Sequence, residues 1–303
     1  MNRFLWLLKR EVWESRAIWM APAICLAIVL GGAAVAGIWT GHFELGMDDN
    51  ETRAMASATS AQLEIVASGA LGVIATPFFI TVLFVQFFYA LDALYSERRD
   101  RSILFWKSLP VSDLETVLAK LVTALVVLPA VATVAAFIAQ VGIAIITSLK
   151  LGNSIGLVPY LWHPGVWGQV LLLDLYVPLT AALWYAPLVA LYLLVSVAVP
   201  RSPFAYFTLG YLGLVLVEKI VFGTKYILVL SASRNLLLPH IFSDRLTSKI
   251  VVGDESLHLP QSIASNMIPG EFLASPDLWL GLAFAAACVA GAAWIRRYRD
   301  ATY

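Results

Sequence analysis

Apolar residues along this chain gather in long uncharged blocks divided by short polar stretches, instead of recurring every three or four positions as on a half-buried helix. A block longer than about 18 residues is long enough to cross a bilayer as a helix. The pattern predicts an all-α polytopic membrane protein, a single transmembrane domain over 1–303 with six transmembrane helices at 17–39, 65–94, 113–147, 170–199, 204–222 and 277–295. Pro22 starts or kinks the first helix, and Thr76-Pro77 kinks the second. The third opens on a capping box, Ser112 with Glu115 three residues later. Pro200-Arg201-Ser202-Pro203 reads as a tight turn, since each proline disfavours helix in the residue before it.

Residues 1–16 follow a different period. Phe4, Leu5, Leu8 and Val12 recur at helical spacing, while Arg3, Lys9, Arg10, Glu14 and Arg16 take the other face. This predicts an N-terminal amphipathic interfacial helix with Trp6 and Trp13 at headgroup level; the plainer alternative is a charged stub before the first span. No cleavable signal peptide is expected, because these residues are too charged and the apolar run after them is too long. Between the blocks, Thr40–Glu64 carries Glu44, Asp48, Asp49 and Glu51 against Arg53, and 148–170 is an aromatic-rich loop with Tyr160, Trp162 and Trp167. The longer 223–276 external segment has room for one or two short helices.

Composition agrees with the pattern: 60% of the 303 residues are hydrophobic and 13% charged, too few charges to cover a soluble domain of this size. The net charge is zero, which favours no nucleic-acid partner, yet the charges are unevenly placed. Of the 20 Lys and Arg, thirteen fall in the N-terminal segment, the 95–120 region, the Pro200 turn and the C-terminal tail. By the positive-inside rule these segments are cytoplasmic, and an even number of spans puts both termini of this multi-pass protein there; the resemblance described below implies the inner (plasma) membrane. Cys25 and Cys288 both lie in apolar blocks and read as small membrane-embedded hydrophobes, with no disulfide and no metal.

Several residues are candidates for chemistry inside the bilayer. Ionisable groups within apolar stretches are expensive, so Asp174 and Glu218 are candidates for a gate or translocation path, although both stand near enough to an interface to be hydrated. Asp92 at the inner end of the second span would meet the basic connector. Gln86, Tyr89, Tyr185 and Tyr192 would line a path, or simply pack with a hydrogen-bonded hydroxyl. Small residues at helical spacing, Gly32 with Ala36 and Ala33 with Gly37 in the first span and Ala283, Ala287 and Gly291 in the last, favour close helix packing within or between subunits. A membrane-embedded enzyme is the alternative class, but His42, His163, His240 and His258 all fall in outer loops, and neither H-E-x-x-H nor G-x-S-x-G occurs. A stand-alone secondary transporter would show repeated halves, and none is visible.

The most informative polar stretch is the connector 95–112. Ser96 is placed to cap a short helix whose first turn, Glu97 to Asp100, is charged, and which turns apolar at Ile103 to Trp106 before Pro110 stops it. Such a helix lies along the inner surface and joins two spans; a merely solvated basic loop is the plainer reading. The run "ERRD" leading into "ILFWKSLPVSD" resembles the coupling segment of ABC-2 type transporter permeases. "LLKREVWE" is similar to the connecting helix of that family, "SVAVPRSPFAYF" to its tight inner turn, and "LWLGLAFAAACVAGAAWIRRYRD" to its last span and basic tail. The resemblance implies a permease subunit of an ABC exporter, not itself an enzyme, that binds no cofactor and is driven by a separate ATP-binding subunit holding ATP and Mg. Consistent with that, no G-x-x-x-x-G-K-[ST] phosphate loop occurs. It further implies two copies of the ATP-binding subunit, a second and identical permease, and export of a lipophilic or peptide-like substrate. Glu97, Arg98, Arg99, Asp100, Arg101 and Lys107 would contact the ATP-binding subunit, with Phe105 and Trp106 anchoring the lever.

Overall fold

The computed structural model describes residues 3–39, 59–100, 111–151, 158–222 and 267–299. Its regular elements are helices: α1 Arg3–Glu14, α2 Ala17–Trp39, α3 Ser60–Val73, α4 Thr76–Arg99, α5 Asp113–Val122, α6 Leu128–Leu151, α7 Pro164–Ala198, α8 Pro203–Phe222, α9 Pro269–Ala274 and α10 Pro276–Arg299. A π-turn, Thr123–Val127, joins α5 to α6 into one continuous rod, and a 3-10 turn at Val158–Trp162 precedes α7. Five helical stretches are long and apolar enough to cross a membrane: Ala17–Val35, Ser60–Arg99, Asp113–Lys150, Pro164–Ala198 and Pro276–Tyr298. The apolar stretch Pro203–Val217 is shorter. The chain is therefore an all-helical membrane protein.

Local chemistry explains most helix ends. α3 is N-capped by Thr59, whose N–H donates to Gln62 Oε1 at 2.8 Å. The expected Ser112 capping box is formed: Glu115 N–H donates to Ser112 Oγ at 3.1 Å, and Ser112 N–H donates to Glu115 Oε2 at 2.9 Å. α3 and α4 are separated at Ile74–Ala75, just before Pro77, where the backbone tightens to bonds three residues back. α7 begins earlier than expected because His163 Nδ1 accepts the Gly165 N–H at 3.3 Å, capping a start at Pro164. In the turn before α8, Ser202 takes φ 24°, a strained value for a residue other than glycine.

The α4 end departs from expectation. Ser96 caps no new helix; it sits inside α4, its Oγ donating to the Ala93 carbonyl at 3.5 Å, and α4 runs on to Arg99. Residues 95–99 are the last turn of a span-length helix, not the first turn of a separate one. The rest of the expected coupling segment, with Arg101, Phe105, Trp106 and Lys107, lies outside the described residues, as do 40–58 and 223–266 and the side chain of Glu218.

α7 is the hub and packs against α10, α4, α3, α6 and α5. The main core gathers Ala90, Ala93 and Leu94 of α4, Ala186, Ala190 and Leu193 of α7, and Ala285, Cys288 and Ala292 of α10. Lipid offers no hydrophobic drive toward a protein interior, so alanine serves here by letting backbones approach and gain dispersion contact. The expected stripe of the last helix is rotated: Ala283 and Ala287 are exposed, and α10 packs through Ala285, Cys288, Val289 and Ala292. On α2, Gly31 and Gly32 face open space, whereas Gly142 of α6 is the floor on which Leu30 rests, within 2.6 Å of where a Cβ would stand.

Gly281 of α10 meets the Pro187 ring of α7, which would lie 3.0 Å from an added Cβ. A pyrrolidine ring cannot rotate away, so Gly281→Val should overpack the hub and cost about 1–3 kcal/mol. A lowered melting temperature in detergent is the expected reading; Gly31→Val, with nothing near it, should leave that temperature unchanged.

Candidate functional site

The charges that an apolar bundle cannot leave unpaired gather at one end, called here the basic end. α1 supplies two of them. Its protein-facing stripe is Leu7 and Glu11, one turn apart, while Leu5, Trp6 and Trp13 are exposed. Lys9 Nζ lies over the rings of Trp6 and Trp13 at 5.1 and 4.8 Å from their centroids, on the outward face. The helix thus directs a carboxylate inward and its tryptophans outward, where an interfacial helix meets headgroups.

Glu97, in the last turn of α4, is the centre of the cluster, its side chain 2% exposed. Oε2 accepts from Arg296 Nη1 of α10 at 2.6 Å. Oε1 lies 3.0 Å from Lys120 Nζ of α5 and accepts from Arg10 Nη2 of α1 at 3.1 Å. Lys120 Nζ also donates to both oxygens of Glu11, at 3.0 and 3.2 Å, and the Tyr89 hydroxyl donates to Glu11 Oε2 at 2.9 Å. Arg296 Nε completes the set with Asp113 Oδ1 at 2.9 Å. Three carboxylates, Glu11, Glu97 and Asp113, meet three cations, Arg10, Lys120 and Arg296, and the more exposed Glu14 also pairs with Arg10 at 3.0 Å. Burial by itself would pull the Arg10 pKa down; Glu11, Glu14 and Glu97 outweigh it and raise that pKa above the ordinary arginine value.

The expected contact run therefore divides. Glu97 is committed within the chain. Arg98 turns to the end of α7, where its Nη2 donates to the Ser196 and Val199 carbonyls at 2.6 and 2.8 Å and satisfies a helix C-terminus. Arg99 and Asp100 stay outside, paired at 3.1 Å with side chains 57% and 60% exposed. Of the expected path residues, Tyr89 belongs to the charge cluster. Gln86 donates its Nε2 proton to the Ala124 carbonyl at 3.0 Å, inside the π-turn. Tyr192 stacks edge-on with Phe87 and Phe207, 5.0 Å from each centroid. Gln86 and Tyr185 share an apolar cavity of about 190 Å³ with Pro129 and Pro178. Asp174, one turn before Pro178 on α7, meets Gln140.

Beside the cluster a cleft of about 820 Å³ opens between the α1–α2 junction, α4 and the start of α8. Glu14, Arg16 and Asp92 stand at its polar part and Phe84, Phe88 and Phe204 along its wall. Among the described residues no group of His, Cys, Asp and Glu is placed to hold a metal ion.

Sequence reasoning missed Glu11, Lys120, Arg296 and Gln140 as partners. Signals existed for three of them: Glu11 continues the Leu7 stripe, and Lys120 and Gln140 interrupt apolar runs where a polar group needs a reason, whereas Arg296 is hidden as the first residue of the basic tail. No protein-family profile, no curated protein and no solved structure matches the chain.

Removing one member of a buried pair strands the other's charge and costs about 3–5 kcal/mol. Glu97→Gln and Arg296→Met should each unfold the basic end at markedly lower temperature, and the double variant should lose less than the sum of the two, because the second change removes the stranded charge. Arg99→Ala should move stability by no more than about 0.5 kcal/mol. Thermal unfolding of the four proteins checks this.

Proposed function

We propose that this chain is the permease subunit of an ATP-driven ABC-2 type exporter, with a separate ATP-binding subunit docking at the 95–112 segment. In this reading Pro203–Phe222 is the fifth of six spans, the basic end faces the cytoplasm at the inner membrane, and two such permeases pair with two ATP-binding subunits. ATP and Mg belong to those partners, and the chain's own residues transmit force.

The observation that carries the reading is the charge cluster at the root of the connector. It joins α1, α4, α5 and α10 through side chains that are almost wholly buried, directly beneath the exposed Arg99–Asp100 pair. A push on the connector would reach four helices at once, because none of these charges can move away without its partners. Arg98 extends the same unit to the end of α7. The family resemblance of the "ERRD" run supplies the identity of the pusher; the cluster supplies the means. Arg99, Asp100, Arg101 and Lys107 are the contact residues of choice, with Phe105 and Trp106 as anchor, while Glu97 and Arg98 act as the bearing. The phenyl-walled cleft with charged groups at one part suits an amphiphilic substrate, in keeping with a lipophilic or peptide-like cargo.

Two experiments test this. Affinity purification of the full chain from its native membrane should bring down a phosphate-loop ATPase, and charge reversal at Arg99 and Arg101 together should reduce its recovery several-fold without changing the permease yield. Undiminished recovery overturns the docking site. In a background with Cys25 and Cys288 replaced, a cysteine at Ser57 should label from outside the cell and one at Ser102 only after permeabilisation; the reverse pattern overturns the orientation.

A further inference from the structure

Asp174 is buried differently from Glu97. It stands on α7 against Gln140 of α6, the two residues 4% and 0% exposed. Asp174 lies about 15 Å along α7 from the first residue, well inside the apolar part of the bundle. Gln140 Nε2 donates to Asp174 Oδ1 at 3.2 Å. The two remaining oxygens, Asp174 Oδ2 and Gln140 Oε1, are buried without a hydrogen-bond partner among the described residues. With an ionised carboxylate the pair holds three acceptor oxygens and directs one amide N–H at them. Turning the amide over only exchanges which oxygen is stranded.

No cation stands in for the missing donor among the described side chains. On the elements packed against α7, the charges of α4 (Asp92 to Arg99), of α5 (Asp113, Glu115, Lys120) and of α10 (Arg296, Arg297) gather at the basic end. Glu64 of α3 pairs with His163 at 3.2 Å, Lys150 of α6 donates to the Ala34 carbonyl, and Glu271 of α9 and Asp277 of α10 sit in first turns. The α8 side chains Glu218 and Lys219 are outside the described set. Among the described residues, the one polar group acting on Asp174 is Gln140.

We infer that Asp174 carries a proton and pairs as a carboxylic acid with the Gln140 amide, so that α6 and α7 share a proton-binding site inside the membrane. A carboxylic acid and a primary amide join through two parallel hydrogen bonds. One is in place, and the two atoms left over are the donor oxygen and the acceptor that the second requires. A proton on Oδ2 resolves both orphaned atoms together and removes a charge that apolar surroundings penalise heavily. The site is also placed to respond when the proton leaves. Pro178, four residues on, has no N–H to return to the Asp174 carbonyl, so the α7 backbone is already loosened at this turn. The cavity of about 190 Å³ begins at the same proline. Deprotonation sets three acceptor oxygens and an unbalanced charge against each other, which drives α6 from α7 and draws in water. The inference does not depend on what the chain transports.

Because the folded chain holds a proton that the unfolded chain releases at neutral pH, its stability falls as pH rises through the titration of the site. The full chain in lipid nanodiscs is the sample. Infrared spectra at neutral pH should contain the carbonyl band of a protonated carboxyl that is absent from Asp174→Asn. That variant's amide reproduces the donor, so its melting temperature should hold across the pH range in which the wild type's declines. Gln140→Leu should keep the band but move it to higher frequency, since the acid loses its acceptor; this reads the site even if Asp174→Asn fails to fold. A band that survives in Asp174→Asn, an unmoved band in Gln140→Leu, or no band in the wild type overturns the inference. So does a stabilisation by sodium over choline that Asp174→Asn lacks, which would make the two oxygens ligands for a metal cation.

Discussion

The architecture of the basic end depends on one constraint: Glu97 is buried, charged, and must meet its cations from three other helices. At an effective dielectric of about 20, two unit charges about 4 Å apart attract by roughly 4 kcal/mol, and removing both from water costs a comparable amount. The cluster's worth therefore lies less in net stability than in uniqueness. Apolar helices in lipid slide and rotate against one another at little expense, because one alanine face resembles the next. Arg10, Lys120 and Arg296 reach Glu97 at only one mutual register of α1, α5 and α10. Every other register leaves a charge without a counterpart. That is how a chain poor in charge fixes the arrangement of its helices with six charged residues.

Further along the bundle the same accounting applies to backbone groups, since none can be left bare in hydrocarbon. Pro129 offers no N–H to the Leu125 carbonyl and crowds it, and the helix widens into the π-turn Thr123–Val127 just before it. Leu128 N–H bonds five residues back to the Thr123 carbonyl, and the displaced Ala124 carbonyl takes its proton from Gln86 of α4. Thr123 Oγ1 donates to Ala119 at 2.8 Å, and Thr180 Oγ1 donates to Tyr176 at 2.8 Å, one turn from Pro178. Proline, π-turn and glutamine are one device: a break in one helix, repaired by a side chain from its neighbour. It also locks α4 to the α5–α6 rod about one turn along from Lys120 of the charge cluster.

Much of this was legible in the sequence, where the signal is local. The first apolar block and α2 share the bounds 17–39, and the Ser112 box lies where Ser and Glu three apart required it. What escaped was rotational. In a soluble helix the apolar face marks the inside, but in lipid both faces are apolar, so Ala283 and Ala287 looked as buried as Ala285 and Ala292. On α1 the rule reversed, because Glu11 faces the protein and Leu5 does not. Ser96 resembled a cap because it precedes a charged turn, yet a cap needs an extended backbone, and α4 is held helical through this point by Ser196 Oγ accepting from the N–H groups of Leu94 and Tyr95. Long-range partners of this kind, about a hundred residues apart, leave no local trace.

Glu97 and Asp174 show that burial alone does not set the state of a carboxyl group. Glu97 is supplied with three cations within about 3 Å, so the charged form is the only one that uses them. Asp174 has an amide and no cation, so the neutral form is the one whose hydrogen bonds close. Acid would strip Glu97 of the charge its partners need, whereas alkali would give Asp174 a charge it has no partner for. The charge cluster and the Asp174 site are thus stressed by opposite changes in pH, and between them along the α5–α6 rod and α7 lie Pro129, Pro178, Pro187 and a π-turn. In the transport role proposed above, one end of the helices holds while the other parts; the charge cluster would serve as the fixed lock and the proton inferred on Asp174 as the removable one.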